Sequence, residues 1–102
     1  MNIKYALETI DALVLGFRSK NKEERLISYS SIIAILTRLE EISKDKPIPN
    51  YELYKHELIQ SCEALCGLDD GNGHDASTHI SWALAAIDKL ESVHCFNVRN
   101  QG

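Results

Sequence analysis

Apolar residues spaced four, three, four and three apart open this chain: Ile3, Leu7, Ile10, Val14 and Phe17. At 3.6 residues per turn they share one face of a helix, while Lys4, Glu8 and Asp11 fall on its polar side. One amphipathic helix cannot bury its own stripe, so the pattern demands partner elements. The same period returns three more times. Ser19-Lys20-Asn21-Lys22 interrupts it, and Asn21 followed by Glu24 has capping-box character, so a second helix is predicted from about Lys22 to Lys44.

That second helix is apolar around an arc of about 200°, comprising Leu26, Tyr29, Ile32, Ile33, Ile35, Leu36, Leu39 and Ile42. One neighbour cannot cover so wide an arc, which predicts contact with two. Pro47-Ile48-Pro49-Asn50 is the clearest break, because proline holds its predecessor in extended backbone. Asn50 is the expected N-cap of a third helix, about Tyr51–Cys66. Its core face is read as Tyr54, Leu58, Cys62 and Leu65, with Gly67 as the left-handed residue that ends it. After the loop Leu68–Asp75, Asp75 or Ser77 caps a fourth helix running to about Ser92. Ile80, Ala83, Leu84, Ile87 and Leu90 form its core stripe, and Trp82, Ala86 and Val93 lie nearly opposite.

At 102 residues the chain holds one domain and one core. The fold class that follows is all-α: a single-domain antiparallel four-helix bundle over residues 1–94, with an aperiodic tail at 95–102. The longest uncharged runs, Leu26–Thr37 and Ala76–Ile87, are too short for the roughly 20 residues of a membrane span. Glu8 and Asp11 interrupt any apolar leader, and three cysteines is an odd count. Reduced thiols and a cytoplasmic location are expected.

Charge is distributed unevenly. Residues 1–55 hold nine basic and eight acidic side chains, whereas residues 56–102 hold two and seven. The net −4 therefore resides in the second half, and no lysine or arginine lies between Lys55 and Lys89. Such a field favours a basic protein partner over nucleic acid or a membrane. The candidate docking residues are Glu52, His56 and Glu63 on the exposed face of the third helix, Asp69, Asp70 and Asp75 in the loop, and Trp82 as an anchor. The first three are expected to run into the loop as one negative ridge. Arg18, Lys20, Lys22 and Arg25 make the one basic stretch, which Glu23 and Glu24 dilute. A solvated turn is its expected role.

Other chemistries fit less well. Cys62, Cys66, His74 and His79 have zinc-ligating side chains, but their spacing matches no finger, and Cys62 has a core position. The loop fails as a calcium loop in either register: beginning at Asp70 puts Asp75 at the glycine position and Ser81 at the glutamate position. Cysteine–histidine catalysis needs an electropositive setting to lower the thiol pKa, and this half of the chain is electronegative. No catalytic residue, metal or cofactor is assigned, and no enzyme is expected. The expected function is a small acidic protein-binding inhibitor, in its most concrete form a toxin-neutralising immunity protein or antitoxin. A homo-oligomeric regulatory or scaffolding bundle is the alternative, and a Cys/His metal-binding protein the second.

Overall fold

The computed structural model describes the backbone of residues 2–99 and the side chains of residues 2–93. Helix α1 (Ile3–Gly16) passes through a 3₁₀ turn (Phe17–Ser19) into α2 (Lys22–Ile42). Helix α3 (Tyr51–Leu65) follows, then a 3₁₀ turn (Gly71–Gly73) and α4 (Ala76–Arg99). Among the described residues there is no strand. The protein is an all-α, four-helix, single-domain globule.

The local signals explain most boundaries. Asn2 Oδ1 accepts from the Tyr5 N–H at 2.7 Å and caps α1. Asn21 and Glu24 exchange bonds at 2.9 Å each, the full capping box. Helix α3 closes on a Schellman turn: the Leu68 N–H reaches the Glu63 carbonyl at 2.9 Å and the Gly67 N–H reaches that of Ala64 at 3.2 Å. Gly67 has φ 78°, the left-handed backbone that a side chain would strain.

Two boundaries differ from expectation. Asn50 precedes α3 but sits at φ 59°, ψ 21°, and its side chain caps nothing. Asn50 does hold the N-cap position, its carbonyl accepting from the Tyr54 N–H at 3.2 Å, but in the left-handed backbone that asparagine tolerates and without the side-chain bond. Helix α4 does not stop near Ser92; it continues to Arg99, so residues 95–99 of the expected tail are helical, while 100–102 lie outside the described residues. No glycine or proline interrupts Ser92–Arg99, and extending an existing helix requires no second nucleus.

Packing follows the stripes. Ala6, Leu7, Ile10 and Val14 of α1 and Phe17 of the 3₁₀ turn that follows are fully buried. Leu58, Cys62 and Leu65 carry α3 into the core, with Tyr54 packed at its edge. Helix α4 packs most extensively against α3 and also against α1, whereas α2 rests on α1 and touches α3 lightly. The expectation of two neighbours for α2 holds, but the apolar arc is wider than the covered surface: Leu26 and Ile42 remain 39% exposed. In α4, Ala86 was expected opposite the core stripe and is instead fully buried. Two helices flank α4, so both of its sides are covered. Ile48, between the two prolines, also enters the core.

Polar contacts pin the helix ends. Glu40 near the end of α2 accepts from Tyr51 Oη at 2.6 Å and pairs with Lys55 Nζ at 2.7 Å, both near the start of α3. At the other end, Arg25 donates from Nε to the Phe17 carbonyl (2.9 Å) and from Nη1 to the Leu65 carbonyl (3.1 Å). One guanidinium thus joins the ends of three helical segments. Lys20 Nζ donates to Ser28 Oγ at 2.7 Å and Arg18 Nη2 to Ser77 Oγ at 3.4 Å, so three cations of the basic stretch, expected as a solvated turn, are engaged in contacts within the fold.

Candidate functional site

Where α3 and α4 diverge at the surface they leave a groove, and Trp82 stands in it. A cavity of about 110 Å³ is lined by Gln60, Ser61 and Ala64 of α3, Asp69 and Asn72 of the loop, and His79 and Trp82 of α4. A second, more open cavity of about 300 Å³ adjoins it, lined by Glu57, Gln60, Ser61, Trp82, Ala85 and Lys89. Helical spacing produces this wall: Glu57, Gln60, Ser61 and Ala64 recur at i, i+3, i+4 and i+7, as do Trp82, Ala85 and Lys89 at i, i+3 and i+7. The small side chains of Ser61, Ala64 and Ala85 leave the volume open. The Glu57–Lys89 ion pair, at 3.4 Å, bridges the helices at one end.

Trp82 is 48% exposed. Its ring meets His74 edge-on at 4.8 Å and His79 at 5.5 Å, and the two imidazoles lie 6.0 Å apart. Edge-to-face packing of this kind fixes the indole orientation. His79 is buried and His74 exposed, so the cluster runs from the helix interface outward to solvent.

Hydrogen bonds favour the ionised form of two loop carboxylates, Asp70 and Asp75. Asp75 Oδ1 accepts from the Thr78 N–H (2.9 Å) and from Thr78 Oγ1 (2.8 Å), which makes Asp75 the N-cap of α4. These bonds, with His74 and His79 nearby, hold its pKa below the usual range. Asp70 is likewise held low, by the Asn72 N–H at 3.0 Å and by a hydrogen bond with the Asp69 side chain. Asn72 sits at φ 54° in the tight turn that results.

The predicted docking residues therefore divide. Asp69 and Trp82 line one cavity, Asp70 adjoins Asp69, and Asp75 anchors the helix that carries Trp82. Glu52 and His56 are exposed but line neither cavity. Glu63 is half-buried and meets the Tyr29 hydroxyl at 3.4 Å, so it belongs to the α2–α3 seam rather than to a ridge running into the loop. Burial and then Glu63 raise the Tyr29 pKa.

The thiols lie inside the fold. Cys62 is fully buried, and burial pushes its pKa up to about 12, with Cys66 and Glu63 adding to the shift. Cys66 is also buried and donates from Sγ to the Arg25 carbonyl at 3.4 Å. Both act as small apolar groups at helix contacts. Among the described residues, no three His, Cys, Asp or Glu side chains converge as a metal site, and no helix is long and apolar enough to cross a membrane.

A second acidic centre lies away from the groove, where α1 meets α4. Burial, then Asp88, raises the Asp11 pKa. Burial, then Asp11, Asp88 and Glu8, raises that of Glu91, with Lys4 opposing. Sequence spacing did not reveal this meeting, because it depends on which faces of α1 and α4 come together. Comparison of the chain with protein-family models, curated proteins and solved structures finds no match.

Proposed function

We propose that this protein is a binding module that docks a basic protein partner on the α3–α4 groove. An inhibitor that occupies the cationic surface of its target, as an immunity protein or antitoxin does, is the concrete form. One observation carries the reading: the single tryptophan of the chain is half-exposed in a cavity lined by Asp69, with the exposed Asp70 next to it in the chain. Tryptophan is enriched among interface residues that dominate binding energy, and acidic neighbours select for a cationic counterpart. No lysine or arginine lines the smaller cavity.

Association kinetics with a basic partner, found by affinity capture and then purified, tests this. The double neutralisation Asp69→Asn/Asp70→Asn keeps acceptor oxygens for the turn while removing the charge. It should slow association by about tenfold at low ionic strength and flatten its salt dependence. Trp82→Ala should act mainly by speeding dissociation. An acidic partner, or association unchanged by neutralisation, contradicts the proposal.

A further inference from the structure

We infer that the cavity between α3 and α4 is a receptor for one arginine side chain of the partner, with the guanidinium against Asp69 and Trp82. The inference rests on the docking reading and names the group that the groove selects.

The lining suits that group. Gln60, Asp69 and Asn72 contribute oxygen acceptors, and Trp82 contributes an aromatic surface; Ala64 supplies a small apolar floor. A guanidinium carries five N–H donors in one plane, is weakly hydrated, and stacks on indole, so it can use acceptors and ring together. A lysine ammonium is a compact, strongly hydrated charge and matches this arrangement less well. The volume of about 110 Å³ accommodates a planar head group. The adjoining 300 Å³ space, shared across Gln60, Ser61 and Trp82, has room for the methylene stem and the residues beside it. Charge complementarity is local as well as global: Asp69 of the lining is followed in the chain by the exposed Asp70, and adjacent carboxylates favour a cation placed beside them.

Trp82 is the only tryptophan, so its fluorescence reports this site alone. The probes are the blocked tripeptides acetyl-Gly-Arg-Gly-amide, its lysine counterpart, and its citrulline counterpart, which keeps the shape and loses the charge. The arginine peptide should give a saturable change in Trp82 emission in the millimolar range. Lysine should bind about fivefold more weakly, and citrulline should give no saturable signal. Asp69→Asn should weaken arginine binding about tenfold. Ala64→Gln, which fills the cavity floor, should abolish it with helical content unchanged. A signal equal for citrulline and arginine, no saturable signal, or full binding by Asp69→Asn overturns the receptor. If the peptides fail while a basic partner still binds in a salt-dependent manner, the arginine receptor is wrong and groove docking stands. If both fail, the docking reading falls with it.

Discussion

Glu40 and Asp70 are both carboxylates beside a helix junction, yet they are held in different ways. Glu40 touches a dedicated cation, Lys55 at 2.7 Å, and a phenol, Tyr51 at 2.6 Å. Burial pulls its pKa upward, but those two hydrogen bonds outweigh it and leave the group lower than usual. The same contact, with burial as the larger cause, pushes the Tyr51 hydroxyl pKa well up. In the loop, Asp70 and Asp75 are held mainly by backbone N–H groups and the Thr78 hydroxyl. The α2–α3 seam thus neutralises its acid within the fold. The loop beside the α3–α4 groove fixes Asp70 and Asp75 in place while keeping their negative charge at the surface. A charge cancelled internally stabilises structure, whereas a charge oriented by neutral donors remains available to a visitor.

Mutations can break that comparison, and the interior sets the scale. Leu58→Ala, which opens the core beneath both regions, should cost about 2–5 kcal/mol in urea unfolding. Trp82→Ala, half in solvent already, should cost less than about 1.5 kcal/mol. An equal loss for the two would make Trp82 a core residue and remove it from the site.

Next comes the seam. Glu40→Ala strands two donors and should cost about 1 kcal/mol, at the low end for a charged hydrogen bond because Glu40 is 39% exposed and screened. Since its folded pKa is depressed from 4.5, its contribution is present above that value and fades as pH falls through the lower, folded-state value. Wild-type protein should lose this increment below pH 4.5, and Glu40→Ala should have none to lose. Unfolding followed from pH 6 to about pH 3 checks both signs.

Asp75→Ala removes the α4 cap and should lower the melting temperature by about 3–6 °C. Asp75→Asn should restore most of it, because the amide oxygen accepts the same Thr78 bonds. Smallest is Asp69→Asn/Asp70→Asn, which should leave the melting temperature within about 2 °C of wild type while altering binding. A large stability loss there would show the loop acids to be structural, like Glu40.

Much of the fold was legible because it obeys local rules. Apolar period marked all four helices, Asn21 and Glu24 announced their box, and Gly67 lay where α3 needed positive φ. What escaped was set by long-range geometry. Arg25 reads as one charge in a diluted basic stretch, and its bond to the Leu65 carbonyl, 40 residues away, leaves no local trace. Glu63 shares a wheel stripe with Glu52 and His56, but the approach of α2 turns it toward Tyr29. The site was half visible. Trp82 and Asp69 stood out by type and charge, whereas Ser61, Ala64 and Ala85 matter for the space they leave unfilled, which composition does not show.

The central claim is that the α3–α4 groove, and not another exposed apolar face, receives the basic partner. Nitrogen-15 NMR of the labelled protein, titrated with that partner, tests it most directly. The account predicts shifts concentrated on residues 57–64, 69–75 and 79–89, including the Trp82 indole N–H, that diminish as salt is raised. Shifts centred instead on Tyr5, Leu15 and Ile27, with the Trp82 indole unmoved, would contradict it.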